Sequence, residues 1–93
     1  MIDFKVCLDE ESLKLEDFFA SDSSPIELAK GINFLLALKG VDKAIPPQMI
    51  YNYIKKGYIE FYYNSTQKKA IKREECCRFV TKYFAKNYNI ELV

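Results

Sequence analysis

The chain has 93 residues, of which 49% are hydrophobic, with seven Phe and seven Tyr among them. This size and composition are typical of one small globular domain and exclude a disordered segment. A net charge of +1 excludes a uniformly basic, nonspecific nucleic-acid-binding protein, but the charge is unevenly distributed. Residues 1–45 hold nine acidic and five basic side chains, and residues 46–93 hold four and nine. The basic half predicts a face for a polyanion, and the acidic half suits a protein partner.

The cysteine and histidine content argues against disulfides and metal sites. There is no histidine, and the three cysteines are Cys7, Cys76 and Cys77. An odd count with two adjacent members is a poor disulfide framework, and no C-x-x-C pair is present for zinc. We expect Cys76 to be buried, Cys77 to be partly exposed, and both to stay reduced. No apolar run of about 18 residues and no signal peptide is visible, which predicts a cytoplasmic protein with no membrane partner.

The first half of the chain predicts a strand and two helices. Apolar residues alternate over residues 2–8, which is typical of a half-buried strand, and early acids indicate a short helix within residues 9–20. Residues 21–24 have the composition of a loop. A capping box at Ser24 and a proline after it then open a buried helix over residues 25–39.

The segment from Ile45 to Ile59 predicts a second, shorter helix. Pro46 and Pro47 suit its start, and Gly57 suits the position just past its end. An inward apolar stripe is expected from Ile50, Tyr53 and Ile54. The other faces then carry amide, phenol and ammonium groups that can contact base edges and phosphates, namely Gln48, Met49, Tyr51, Asn52, Lys55 and Lys56.

The remaining residues predict a β-hairpin and a final helix. Strands over residues 58–63 and 68–71 flank a polar turn, and we expect Ile59, Phe61 and Tyr63 on one side of the first strand. Beside the hairpin lie three candidate phosphate contacts, Lys68, Lys69 and Lys72. The final helix, ending near residue 88, should bury a stripe made of Cys76, Phe79, Val80, Tyr83 and Phe84 against Leu35, Ile50 and Ile54.

Catalysis is not predicted. No histidine is available as a base, and the acidic residues cluster where helices are expected to begin, as at Glu74 and Glu75. The three glycines are isolated, so no phosphate-binding loop is present. We therefore expect a non-enzymatic protein without a cofactor or a metal ion.

The chain resembles a known family of DNA-binding domains. The order helix, turn, P-P-Q-M-I-Y-N-Y-I-K-K-G-Y-I, short hairpin and R-E-E-C-C-R-F-V-T-K-Y is similar to the winged helix-turn-helix domains of the MerR and excisionase type. It looks nearest to small phage or plasmid-borne proteins. The resemblance implies an α+β winged helix-turn-helix domain over residues 24–93, after an acidic extension over residues 1–23. It also implies sequence-specific binding of double-stranded DNA in transcription regulation or recombination.

Three features depart from that family. Residues 41–44 lengthen the turn, the first 23 residues have no counterpart, and no long coiled coil for dimerisation follows the final helix. The absence of the coiled coil favours the architectural or excisionase-like members. An alternative reading remains, in which the tyrosines are core and rim aromatics and the lysines are a solvated surface. A helix-turn-helix module can also recognise proteins, so a further alternative is an adaptor that keeps this fold, for example a phage protein that docks on a polymerase or another host component.

Overall fold

The computed structural model describes residues 15–92 as helices around one short antiparallel hairpin. The helices are α1 (Leu15–Phe18), α2 (Pro25–Leu38), α3 (Pro47–Lys55) and α4 (Arg73–Tyr88), and the strands are β1 (Tyr62–Tyr63) and β2 (Lys69–Ala70). Within the described residues, four helices and a two-stranded antiparallel sheet confirm the predicted α+β class. The strand predicted over residues 2–8 and the start of the helix predicted from residue 9 lie outside the described residues.

Helix α2 begins and ends at the predicted signals. The Ser24 side chain accepts a hydrogen bond from the Glu27 backbone N–H at 3.1 Å, and the Ser24 N–H donates to the Glu27 carboxylate at 2.8 Å. At the other end Gly40 has a φ of +77°, a left-handed conformation that favours glycine. The N–H groups of Gly40 and Val41 then reach back to the last turn of the helix, as in a Schellman motif. The predicted capping box and glycine stop are therefore both confirmed.

The turn between α2 and α3 is held by one side chain of α2. The Asn33 amide donates to the Ile45 backbone C=O at 3.0 Å and accepts from the Ile45 backbone N–H at 2.7 Å. An asparagine side chain carries one donor group and one acceptor, so it pairs with both backbone groups of a single residue. This double contact sets where the chain enters α3, despite the length of the turn.

The hairpin is shorter than predicted. Strands β1 and β2 have two residues each and pair Tyr62 with Ala70 and Tyr63 with Lys69. The expectation that Ile59, Phe61 and Tyr63 lie on one side of a strand is wrong. The Ile59 side chain is buried, whereas the Phe61 and Tyr63 rings are exposed. Residues 59–61 are not part of a strand, so the alternation of a strand does not apply to them.

The loop before α2 takes part in the sheet region, which its composition does not reveal. Ser23 and Ile71 form an antiparallel bridge with N–H to C=O hydrogen bonds of 2.9 and 2.7 Å. Next to it, Asp22 accepts a hydrogen bond from the Arg73 backbone N–H at 3.0 Å and another from the Tyr62 hydroxyl. Asp22 therefore provides an acidic group at the start of α4, where the helix dipole favours one.

Helix α4 contributes the predicted stripe to the core. The side chains of Cys76, Phe79, Val80, Tyr83 and Phe84 are buried in one cluster that also contains Leu35, Ile50 and Ile54. This confirms both the helical period and the packing expected from it. The expected burial of the cysteines is also confirmed, because Cys76 is buried and Cys77 is half-buried.

Helix α1 belongs to the same core. Leu15 and Phe19 are buried in the cluster, and the Cys77 thiol donates a weak hydrogen bond to the Leu15 backbone C=O at 3.7 Å. A Cβ atom at Gly31 of α2 would lie 3.0 Å from the Phe19 ring, so glycine there permits the close approach of the ring. The described end of the predicted N-terminal extension is thus packed into the domain, and the boundary after residue 23 stays a prediction.

Candidate nucleic-acid interface

Helix α3 divides into an inward and an outward side. Ile50 and Ile54 are buried and Tyr53 is half-buried against the core, as the apolar stripe predicts. Pro47 opens the helix, and Gly57, with a φ of +84°, ends it. The N–H groups of Gly57 and Tyr58 close a Schellman motif on the last turn. The predicted start, end and inward face of this helix are therefore confirmed.

The outward side of α3 presents a coupled pair of amides. The Gln48 Nε2 group donates to the Asn52 Oδ1 atom at 3.2 Å, and both side chains are exposed. Within the described residues this leaves the Gln48 Oε1 acceptor and the Asn52 NH₂ donor free for another partner. Acceptor and donor groups side by side are what hydrogen bonding to a base edge requires. Lys55 and Lys56 are exposed at the end of the same helix.

Two residues predicted to lie on the outward faces of α3 are less accessible than expected. Met49 packs against the core and is half-buried, because the first turn of α3 rests against the rest of the domain there. Tyr51 is also half-buried. The ammonium group of Lys69 lies over its ring, 5.7 Å from the ring centroid.

Lys69 connects the hairpin to α3. Its Nζ atom is 5.7 Å from the centroid of Tyr51 and 5.6 Å from that of Phe61, both within the range of a cation–π contact. The Phe61 ring in turn meets Tyr63 edge to face, with centroids 5.4 Å apart. The hairpin and the outward side of α3 therefore form one surface, and Lys69 lies at the junction.

The tip of the hairpin is built by Asn64. Its Oδ1 atom accepts hydrogen bonds from the Thr66 N–H at 2.9 Å, the Thr66 hydroxyl at 2.7 Å and the Lys68 N–H at 3.1 Å. Gln67 takes a left-handed conformation with a φ of +63° to complete the turn. Lys68 is held at the tip by its backbone while its side chain stays exposed.

Lys72 has a different electrostatic environment from the other predicted contacts. It is exposed at the start of α4, near the Asp22 carboxylate. Hydrogen bonds from Tyr62 and Arg73, together with the nearby Lys72 charge, hold the pKa of Asp22 below its usual value. The structure therefore brings Lys69 against α3, with Lys68 next to it in the hairpin, whereas the charge of Lys72 faces an acidic neighbour.

Two residues of α4 hold the segment that leads into the hairpin. The Glu75 carboxylate accepts a hydrogen bond from the Glu60 backbone N–H at 2.9 Å. It also forms an ion pair with Arg78 through two hydrogen bonds. The Arg78 guanidinium in turn donates to the Tyr58 backbone C=O at 3.0 Å. The Arg78 hydrogen bonds chiefly hold the pKa of Glu75 below its usual value. Sequence reasoning treated Glu75 as a charge at a helix start. A Glu-x-x-Arg spacing was the available signal for the ion pair.

No family model, curated protein or solved structure matches the chain. Among residues 15–92, no group of three His, Cys, Asp or Glu side chains is placed to hold a metal ion. None of the described helices is long and apolar enough to cross a membrane.

Proposed function

We propose that the chain is a non-catalytic protein that binds double-stranded DNA in a sequence-specific manner, in transcription regulation or recombination. The contact that carries this proposal is Lys69 above the rings of Tyr51 and Phe61. It joins the hairpin to α3, so that the amide pair and the lysines of both elements share one surface.

In this proposal, α2, the turn and α3 act as a helix-turn-helix and the hairpin acts as its wing. Helix α3 lies in the major groove, where Gln48 and Asn52 contact base edges. Lys55 and Lys56, at the end of the helix, contact phosphates, as do Lys68 and Lys69 of the hairpin. The Asn33 contact supports this arrangement because it sets where α3 begins.

The test begins with selection of a preferred duplex from a random pool, followed by binding measurements over a salt series. We expect Gln48→Ala and Asn52→Ala each to weaken binding to the selected site by about 1–3 kcal/mol, with little change on random duplex. Lys68→Ala should instead weaken binding to all duplexes alike and lower the salt slope by about one. Lys30→Ala, on the exposed side of α2, is the matched control and should change neither.

Failure of the unmutated protein to bind any duplex at low salt, where electrostatic attraction is strongest, would reject the proposal. A uniform loss for Gln48→Ala on selected and random duplexes would reject the base contact while leaving nonspecific binding.

A protein adaptor is the second candidate, and one observation favours it. Phe61 and Tyr63 are 38% and 59% exposed and lie edge to face on the hairpin. Exposed aromatic side chains are frequent anchors of protein interfaces. The adaptor proposal predicts that a purified polymerase binds the chain, that Phe61→Ser abolishes this complex, and that Gln48→Ala leaves it intact. The DNA-binding proposal predicts no such complex.

A further inference from the structure

An open groove of about 600 Å³ lies between the end of α3 and the outer side of α4. The segment around Gly57 forms one wall, and the α4 residues Arg78 to Asn87 form the other. This volume falls within the range of about 300–1,000 Å³ that is usual for small-molecule sites. The groove is separate from the surface described above. Its α3 residue is Tyr53, which is two positions, or about 200° of helical rotation, from Tyr51.

The floor of the groove is a continuous row of aromatic rings. Tyr58 lies 5.8 Å from Tyr53, Tyr53 lies 5.2 Å from Phe79, and Phe79 stacks on Tyr83 at 5.8 Å, measured between ring centroids. Phe79 and Tyr83 are buried, whereas Tyr58, at the outer end of the row, is 58% exposed. An exposed ring supported by buried rings offers a flat face on which a planar group can stack.

One edge of the groove carries positive charge. Arg78, Lys82 and Lys86 follow one another at intervals of four residues along α4, so they lie on the same side of the helix. Glu60 is the acidic residue of the lining. The Arg78 guanidinium is engaged by Glu75 and by a backbone C=O. In contrast, neither lysine ammonium forms a hydrogen bond or an ion pair within the described part of the chain, although the Lys82 charge lies close enough to Glu75 to help lower the pKa of that carboxylate.

We propose that this groove binds a small anion of the nucleoside monophosphate class, which carries a planar aromatic base and a phosphate. The base stacks on Tyr58, and the phosphate pairs with Lys82 and Lys86, because the lining offers an aromatic face beside two ammonium groups that form no ion pair within the described residues. A ligand with an aromatic ring but no negative charge would not contact the lysines, and an anion without a ring would not contact the aromatic face. The proposal does not rest on DNA binding.

The test is titration of the full chain with AMP, GMP, CMP and UMP, followed by calorimetry and by amide chemical shifts. Adenosine and inorganic phosphate are the single-feature probes. We expect at least one nucleotide to bind about tenfold or more tightly than either probe, because stacking and charge pairing act together. The affected amides should belong to residues 57–60 and to the second half of α4.

Matched variants locate the two interactions. Tyr58→Ala should weaken nucleotide binding by about fivefold to 150-fold, the range for loss of one stacking ring, whereas Tyr58→Phe should bind as the unmutated protein does. Tyr63 is equally exposed, at 59%, so Tyr63→Ala controls for loss of a surface tyrosine. Lys86→Gln should weaken binding and reduce its salt dependence, and Lys30→Gln should not.

Three results would overturn the proposal. The first is that no nucleotide shifts these amides at about 10 mM, well above the millimolar limit of weak specific binding. The second is that Tyr58→Ala or Lys86→Gln binds as the unmutated protein does. The third is that a short peptide of alternating Glu and Phe binds in the groove while none of the nucleotides does, which would make it a peptide site.

Discussion

Replacement of Asn33 by alanine tests the contact that sets the α2–α3 turn. The Asn33 side chain makes two hydrogen bonds to Ile45, of 3.0 and 2.7 Å, and Ile45 is only 8% exposed. Each bond contributes a net of about 0.5–1.5 kcal/mol, and a buried backbone group left unpaired costs about 1–3 kcal/mol. Alanine recovers at most about 0.7 kcal/mol through its higher helix propensity. We therefore expect Asn33→Ala to lower the free energy of unfolding by about 2–4 kcal/mol.

The assay is urea unfolding followed by circular dichroism. The free energies of unfolding of variant and unmutated protein are compared where their m-values are equal. Asn52→Ala is the matched control, because it gains the same helix propensity and loses only an exposed amide contact of 3.2 Å. It should stay within about 0.5 kcal/mol of the unmutated protein. Asn33→Asp should also be destabilised near neutral pH, because a carboxylate cannot donate to the Ile45 C=O. Equal unfolding midpoints for Asn33→Ala and Asn52→Ala would refute the role of Asn33 in the turn.

Three further predictions follow from the core and from α4. Phe79→Ala should cost about 3–5 kcal/mol in chemical unfolding, the usual range for a buried aromatic, and an unchanged midpoint would show that α4 is not part of the core. In a Cys7→Ser background, a thiol reagent should label Cys77 before Cys76, because Cys76 is buried, which raises its pKa to about 12, whereas Cys77 is only half-buried; equal labelling rates would contradict this difference in burial. Folding lowers the pKa of Glu75. Its contribution to the free energy of unfolding is therefore present above the pKa of the unfolded state and is lost as the pH falls through the pKa of the folded state. Glu75→Gln should therefore flatten the acid side of the stability curve, and an unaltered acid side would contradict the ion pair.

The sequence by itself determined the ends of the helices and their inward faces. The Ser24–Glu27 capping box, the stops at Gly40 and Gly57, and the α4 stripe depend on residues within about one or two helical turns of each other. Such patterns act through local backbone geometry, so they can be recognised before any tertiary contact is known. The candidate amides and lysines of α3 were found in the same way, as the residues that the apolar stripe leaves outside.

Only the tertiary structure decided which of these residues meet. The Asn33–Ile45 pair spans 12 positions and the Asp22–Arg73 contact spans 51, and no local pattern specifies either partner. The same holds for Lys69 above Tyr51 and Phe61, for Met49 against the core, and for the aromatic row beside α4. These contacts form because burial of the core sets the positions of the helices and the hairpin. The shared surface and the groove are therefore properties of packing, whereas the helices that line them are properties of the sequence.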